Sequence, residues 1–210
     1  IIEAYRRGAA NAIAAGFDGV EAHGANGYLL DQFLRDGSNK RMDEYGGRIE
    51  NRTRLMLEVM EAISSEIGPE RTGIRLSPVT PANDAHDSNP QPLFNYVVEQ
   101  LDRLNLVYIH IIEGQTGGDR NFGAGFDYGA LHSRFRNTWI VNNGYTPELA
   151  EEAVKNGRAD LIAFGRPFIS NPDLVERLRR RAPLTPPDRS TFYGGGAEGY
   201  TDYPTLQAAE

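Results

Sequence analysis

Residues 16–28 read GFDGVEAHGANGY, and this stretch decides how the rest of the chain is interpreted. A short apolar, β-prone run over residues 17–22 predicts a buried strand. Three polar side chains, those of His23, Asn26 and Tyr28, follow in a turn whose glycines free the backbone for conformations closed to other residues. Parallel α/β barrels and open α/β sheets place their chemistry in such turns, at the carboxyl ends of the strands. We therefore expect the active site here.

The rest of the chain repeats short apolar strands that alternate with amphipathic helices. Further strands are predicted at residues 72–76, 106–112, 139–141 and 160–164. Helices are predicted at residues 1–15, 55–67, 93–104, 147–156 and 171–181, and residues 28–34 fit either a short helix or a packed loop. Such alternation predicts parallel βα units. A closed eight-stranded barrel typically needs about 250 residues, so these strands form either part of a barrel or an open sheet.

Three long polar segments, at residues 35–52, 80–92 and 115–128, interrupt this pattern. Ordered loops of this length are often functional or structurally pinned. We interpret the charges of residues 35–52 as ion pairs that pin the segment, and we expect residues 115–128 at the same end of the sheet as the active site. Beyond Pro183 the chain is rich in proline, glycine and tyrosine, which predicts a packed tail without a further element.

The composition excludes several classes of function. A net charge of −7 and a pI near 5.2 argue against nucleic acid or an anionic membrane as the main partner. Cysteine is absent, which removes disulfides, thiolate metal sites and cysteine nucleophiles and suits a cytoplasmic protein. We expect neither a membrane-spanning helix nor a leader peptide. Because residues 1–15 already read as a helix without an initiating methionine, we expect a chain that has been cut.

Two features predict a bound anion. Arg75 lies in the middle of a predicted strand, where an uncompensated cation is costly, so an anionic partner is expected. A salt bridge to a carboxylate is the alternative. The last two strands end at Asn143-Gly144 and at Gly165-Arg166, positions at which barrels build phosphate sites from backbone N–H groups.

Several motifs occur together and in a fixed order. They are the His-x-x-Asn-x-Tyr turn, the segments SNKRMDEYGGRIENR, GIRLSP, NNGYT and FGRPFISNPDL, and the tail FYGGGAEGYTDYP. In this combination the chain resembles the old yellow enzyme family, and most closely its bacterial alkene and nitroester reductase branch. The resemblance implies an α/β fold, a (β/α)8 TIM barrel of which this chain supplies about five strands. Residues 1–182 would then be the carboxy-terminal part of an FMN-binding barrel, and residues 183–210 a tail that packs near the flavin.

The resemblance also implies an activity. Members of the family are NAD(P)H-dependent flavin oxidoreductases that reduce activated C=C bonds, as in enones and maleimides, or nitro and nitroester compounds, by hydride transfer from reduced FMN. His23 and Asn26 would orient the acceptor, since paired donors at one oxygen stabilise the enolate-like charge that develops there. Tyr28 would supply the proton. The residues alone leave another reading open, in which His23 and Asn26 satisfy backbone groups of the loop and Tyr28 packs in the core or on the surface.

The same resemblance assigns the residues that bind the cofactor. The predicted FMN contacts are Arg75 at the pyrimidine edge of the flavin, the phosphate turns with Asn143, Gly144, Gly165 and Arg166, and Tyr193, which with Phe192 lies near the ring. A sugar phosphate would suit the two turns as well, and a packing role is the alternative for the aromatic pair. NADPH or NADH would be the reductant. We predict no metal site, because metal-ligand spacing is lacking at His86, His110 and His132.

The resemblance begins late, because the first three strands of the family's barrel have no counterpart in this sequence. We therefore expect activity to need the missing amino-terminal part of the barrel, supplied as a separate chain or by another copy. Two alternatives stay open. One is a flavin-free barrel lyase or isomerase that acts on a phosphorylated metabolite, and the other is a non-catalytic fragment that keeps the motifs.

Overall fold

A computed structural model of the chain describes residues 1–206. Within this range five strands form one sheet: β1 Val20–Gly24, β2 Thr72–Leu76, β3 Tyr108–Ile112, β4 Thr138–Asn142 and β5 Leu161–Ala163. The strands lie side by side in chain order, and β1 to β4 pair in parallel. An open doubly wound sheet reverses its strand order at a switch point, whereas a (β/α)8 barrel keeps its strands in chain order. The observed order therefore favours the partial barrel over the open sheet.

Helices alternate with the strands. They are α1 Ile2–Ala14, α2 Leu29–Leu34, α3 Ile49–Ile67, α4 Pro90–Arg103, α5 Tyr128–His132, α6 Pro147–Lys155, α7 Arg166–Ser170 and α8 Leu174–Arg180, with 3-10 turns at Pro69–Arg71 and Arg189–Thr191. The sequence does not predict α5 and α7, because five residues are too few to show helical periodicity. Across residues 1–206, every helix is too short or too polar to cross a bilayer.

Strand β1 begins later than the predicted residue 17. Phe17 is 66% exposed and belongs to the turn that follows α1. Gly19 ends this turn against the backbone of the segment before β2, where a Cβ atom would lie 2.5 Å from the carbonyl oxygen of Arg71. The shift places His23 inside the strand. Because side chains alternate between the two faces of a strand, His23 lies on the same face as Glu21.

The chain divides into two compact units, Ile1–Ile162 and Ala163–Glu210. In the first unit α3 packs on α1, α2, α4 and β2. The side chains of Met56, Val59 and Met60, which lie on α3, are fully buried. The sequence predicts α3 from apolar residues at helical spacing, of which Val59 is one.

In the second unit the tail folds back onto α8. Arg177 is 5% exposed, and its guanidinium binds Asp173 at 2.7 Å and the carbonyl oxygen of Pro204 at 2.9 Å. The other carboxylate oxygen of Asp173 accepts from the backbone N–H of Leu206 at 2.6 Å. The domain boundary predicted between residues 182 and 183 stays a prediction.

Charged side chains fix the segment of residues 35–52 at its start. Arg35 and Asp31 are 1% and 0% exposed, and Arg35 Nε lies 2.6 Å from Asp31 Oδ1. Arg35 also donates to the carbonyl oxygens of Ser77 and Pro78, the latter at 2.7 Å. This buried ion pair therefore joins the end of α2 to the loop that follows β2.

A second ion pair holds the other end of the segment. Helix α3 begins at Ile49 rather than at the predicted residue 55, because charge and not apolar periodicity anchors its first turns. Arg52 is 6% exposed, donates to the carbonyl oxygen of Leu34 and pairs with Asp87 at 2.5 Å. The interpretation of these charges as structural agrees with both ion pairs.

Candidate active site

The polar side chains in the last residues of β1 and in the turn after it lie at the carboxyl end of the sheet. The ring centroids of His23 and Tyr28 are 5.0 Å apart, with 53° between the ring planes. His23 is half-buried, and Tyr28 is 57% exposed. His23 lies opposite Arg75 in the register of β1 and β2, so both side chains are on the same face of the sheet. An imidazole, a phenol and a guanidinium therefore lie at one end of the sheet.

Asn26 is held on three sides by other loops. Its φ angle of 56° is left-handed, a conformation that asparagine tolerates better than most residues. Its backbone N–H donates to Ser77 Oγ at 2.8 Å, its carbonyl accepts from Asn83 Nδ2 at 3.0 Å, and its Oδ1 accepts from the Thr116 hydroxyl at 2.6 Å. No acceptor among residues 1–206 takes a proton of Nδ2, so this group can serve as a donor.

The imidazole of His23 is also a free donor in the described part of the chain. Its ring nitrogens make no hydrogen bond to residues 1–206, so neither His23 nor the Asn26 side chain satisfies backbone groups of the loop. Burial lowers the pKa of His23, and the positive charge of Arg75 lowers it further, whereas Glu21 and Asp31 oppose the shift. The imidazole is therefore neutral at pH 7 and carries one N–H.

The lowered pKa gives a prediction that can be checked without cofactor. In an NMR titration, the His23 ring should protonate below pH 6.5, the ordinary value. Arg75→Met should raise the midpoint, because one cationic neighbour is removed. Since the folded-state pKa is below the unfolded one, protonation of His23 should cost stability as the pH falls below 6.5. A midpoint above that pH would contradict the burial and charge described for this ring.

Arg75 has an incomplete set of partners. Its Nη2 donates to Asn142 Oδ1 at 3.2 Å, and its buried Nε has no hydrogen-bond partner in the described part of the chain. Burial lowers the pKa of the guanidinium, and only the charge of Glu21 opposes this effect. Within residues 1–206 no carboxylate forms an ion pair with Arg75, so the salt bridge considered as an alternative is not formed. A half-buried cation with an unpaired N–H fits a ligand that presents an acceptor, such as a ring carbonyl.

A second polar cluster lies on the same face of the sheet. His110 is 8% exposed, its Nδ1 is 3.0 Å from Glu21 Oε2, and its buried Nε2 has no hydrogen-bond partner up to residue 206. Burial would raise the pKa of Glu21, but hydrogen bonds from His110 and Tyr108 outweigh burial and lower it. Tyr108 and His110 alternate along a predicted strand and therefore lie on one face of it. This alternation is the signal in the sequence that could have indicated the cluster. Within the described residues no third side chain joins Glu21 and His110 to form a possible metal site.

Hydrogen bonds from the Asn143 side chain fix the turn of the first unit that is predicted to bind phosphate. Asn143 has a φ angle of 102°, and its Nδ2 donates to the carbonyl oxygens of Glu113 at 2.6 Å and Gln115 at 2.9 Å. Gly144 has a φ angle of 66° and is exposed, with open space where a Cβ would lie. Because the amide of Asn143 is engaged, a phosphate here would meet backbone N–H groups. The phosphate role stays a prediction.

The remaining predicted cofactor residues belong to the second unit. Gly165 precedes α7, and Arg166 is the first residue of that helix. Tyr193 is 96% exposed. Together with Phe192 and Phe168, it lines a cavity of about 380 Å³. A planar ligand can stack against an exposed phenol at an aromatic cavity. The assignment of Tyr193 to the flavin stays a prediction.

Fold and site together define a class of protein. Parallel strands in chain order, with hydrogen-bond donors and a cation at their carboxyl ends, are the arrangement of a (β/α)8-barrel enzyme. The family described as NADH:flavin oxidoreductase / NADH oxidase matches residues 1–185. The chain belongs to this family, which confirms its resemblance to old yellow enzymes.

Individual relatives agree with this assignment. The chain is 46% identical to 12-oxophytodienoate reductase 2 of Arabidopsis thaliana over 210 residues, which cover 99% of the chain and 56% of the relative. Morphinone reductase in complex with tetrahydroNAD has a TM-score of 0.91 and 45% identity, over 98% of the chain and 55% of the neighbour. The old yellow enzyme homologue from Zymomonas mobilis has a TM-score of 0.93 and 42% identity, over 98% and 58%. The chain thus spans about half the length of these proteins.

Proposed function

We propose that this chain acts in an FMN-dependent ene-reductase that consumes NAD(P)H and reduces activated C=C bonds or nitro compounds. One observation carries the proposal: Arg75, whose buried Nε lacks an acceptor among residues 1–206, lies beside His23, a donor that is free within the same range. The pyrimidine edge of FMN presents carbonyl acceptors that suit this guanidinium. Membership of a flavin oxidoreductase family supports the choice of cofactor.

The chain's own residues would supply positioning and protons. When bound, FMN provides the redox chemistry by accepting hydride from a nicotinamide and giving it to the substrate. His23 and Asn26 donate their N–H groups to the carbonyl or nitro oxygen of the substrate, where negative charge develops as hydride adds to the β-carbon. Tyr28, beside His23, donates its proton to the α-carbon. The substrate thereby gains one hydride and one proton and becomes the saturated product.

Both units contain residues that we propose to contact FMN. In the first unit, Arg75 would hold the pyrimidine edge, and the backbone at Asn143 and Gly144 would meet the phosphate. In the second unit, the proposed contacts are Gly165, Arg166 and Tyr193. The nicotinamide complex of morphinone reductase supports a nicotinamide reductant, and the choice between NADH and NADPH is open. A cytoplasmic location, expected from the sequence, also stays a prediction.

Arg75→Met tests the cofactor role directly. FMN is titrated into the protein and binding is followed by flavin absorbance and fluorescence. The Kd of Arg75→Met for FMN should be weaker by ~10-fold or more than that of the unsubstituted protein, because a charged hydrogen bond is lost. Arg7→Met makes the same chemical change at an exposed position of α1 and should leave the Kd unchanged. Equal affinities of the two variants would refute the role proposed for Arg75.

We also propose that the amino-terminal part of the family's barrel, as a separate chain or another copy, covers the edge of β1. In residues 1–206, β1 pairs only with β2, and its other edge is open to a further strand. A groove of about 410 Å³ lies beside this edge and is lined by residues of α1, including Tyr5 and Gly8. Unpaired strand edges readily accept another strand.

The chain purified alone should bind FMN weakly, and enone reduction should appear when the amino-terminal part of a family member is added. A stoichiometric yellow protein that reduces an enone without any addition would overturn the need for a partner. The flavin-free lyase or isomerase is disfavoured by family membership. Colourless protein with activity on a phosphorylated metabolite would favour it again.

A further inference from the structure

The side-chain amide of Asn26 accepts a hydrogen bond from Thr116, a residue of a distant loop, and this bond affects the proposed chemistry. Thr116 lies in the loop between β3 and α5, ninety residues along the chain from Asn26. Its Oγ1 is 2.6 Å from Asn26 Oδ1. An amide has one end that accepts and one that donates, and only the donating end can stabilise negative charge on a substrate oxygen. What holds the amide therefore decides whether Asn26 can act.

The protons in this loop cluster can be followed one at a time. Thr80 is 2% exposed, and its hydroxyl donates its single proton to the carbonyl oxygen of Gly114 at 2.9 Å. Thr80 Oγ1 then accepts from the backbone N–H of Thr116 at 3.2 Å. The hydroxyl proton of Thr116 is left for Asn26 Oδ1, at a distance shorter than the 3.2 Å to Thr80 Oγ1. The buried threonine thus orients the exposed one.

We propose that Thr116 is a positioning residue that fixes the amide of Asn26 with Nδ2 as the free donor to the acceptor substrate. The inference rests on the proposed function of Asn26. The backbone of Asn26 is already held by Ser77 and Asn83, so rotation of the side-chain amide is the freedom that Thr116 removes. The same hydrogen bond makes the donor geometry of the site depend on the loop that carries Thr116.

The test compares Thr116→Val, which removes the hydroxyl at nearly constant shape, with Thr116→Ser, which keeps it. Ser133→Ala, which removes an exposed hydroxyl that donates to the carbonyl oxygen of Ala130 at 2.9 Å, is the control. The first readout is the side-chain amide signal of Asn26 in NMR spectra and its NOEs, which need no cofactor. In the unsubstituted chain and in Thr116→Ser, the Nδ2 protons should show at most weak NOEs to the Thr116 side chain or its serine replacement, because Oδ1 and not Nδ2 faces it. In Thr116→Val the amide signals should shift and broaden.

The second readout is a single turnover with an enone, measured on the photoreduced, FMN-loaded chain together with the amino-terminal part of a family member, which isolates the step that uses Asn26. Thr116→Val should slow this step about 3- to 10-fold, as expected for one lost hydrogen bond, with Thr116→Ser and Ser133→Ala within about twofold of the unsubstituted protein. Strong NOEs from the Nδ2 protons to Thr116, or an unchanged turnover in Thr116→Val, would overturn the proposal. Failure to load FMN even after the amino-terminal part of a family member is added would instead count against the proposed function, since the NMR readout decides the amide orientation without FMN.

Discussion

Asp31→Asn is expected to lower the free energy of unfolding by about 3–5 kcal/mol, because it leaves a buried guanidinium without its counter-charge. The carboxylate of Asp31 is fully buried, with Oδ1 2.6 Å from Arg35 Nε and Oδ2 accepting from the Gly27 N–H at 2.9 Å. In the variant, Arg35 keeps the carbonyl oxygens of Ser77 and Pro78. Carbonyl groups accept hydrogen bonds but do not neutralise a charge, so the cost of burying the cation stays uncompensated.

Urea unfolding followed by tryptophan fluorescence measures this loss, because the single tryptophan, Trp139, is buried in the first unit. The matched control is Glu151→Gln, which removes one charge from an exposed pair in which Lys155 Nζ is 2.8 Å from Glu151 Oε1. Exposed pairs of this kind contribute about 0.5 kcal/mol or less. Similar losses in the two variants would contradict a structural role for the buried pair.

His23→Ala is expected to slow substrate reduction by a factor of about 10²–10³, because a preorganised donor to the developing oxyanion is removed. The imidazole is a free donor within residues 1–206, and burial together with the charge of Arg75 lowers its pKa, so that it is neutral at pH 7. The donor acts most strongly in the transition state, so the loss should be larger in kcat than in substrate affinity. Steady-state kinetics of the FMN-loaded protein with an enone would measure both quantities.

His86→Ala is the control for this substitution. His86 is exposed in the loop after β2, and its Nδ1 lies 3.1 Å from the carbonyl oxygen of Asp84, so it has no part in the proposed chemistry. The control should keep kcat within about twofold of the unsubstituted protein. A His23→Ala protein that reduces the enone as fast as this control would remove His23 from the mechanism.

The sequence predicts well those elements whose residues carry a local pattern. The bounds of β2 are the predicted ones, because apolar residues surround Arg75 and proline follows at Pro78. The start of α3 is missed because Arg52 anchors it through contacts with residues far along the chain. Strand β1 is displaced because Phe17, apolar but exposed, belongs to a turn. Periodicity reports burial, and these boundaries are set by charge and by close packing of the backbone.

In the candidate site, too, the sequence identifies residues that are close together in the chain and misses contacts between distant ones. His23, Asn26 and Tyr28 are found from the sequence because they occur within six residues of one another, and the structure brings the rings of His23 and Tyr28 together. The groups that hold the site are not found, because Ser77 and Thr116 reach Asn26 across separations of 51 and 90 residues. A single sequence carries no signal for hydrogen bonds between distant loops.

The most direct test of the central claim is an experimental structure of the protein with FMN. We predict that a carbonyl oxygen of the flavin pyrimidine ring lies within hydrogen-bond distance of Arg75 Nε, the donor that has no partner among the described residues. We also predict that the ring lies at the same end of the sheet as His23 and Asn26. A flavin bound with Arg75 Nε still unpaired, or at the opposite end of the strands, would contradict the role proposed for Arg75.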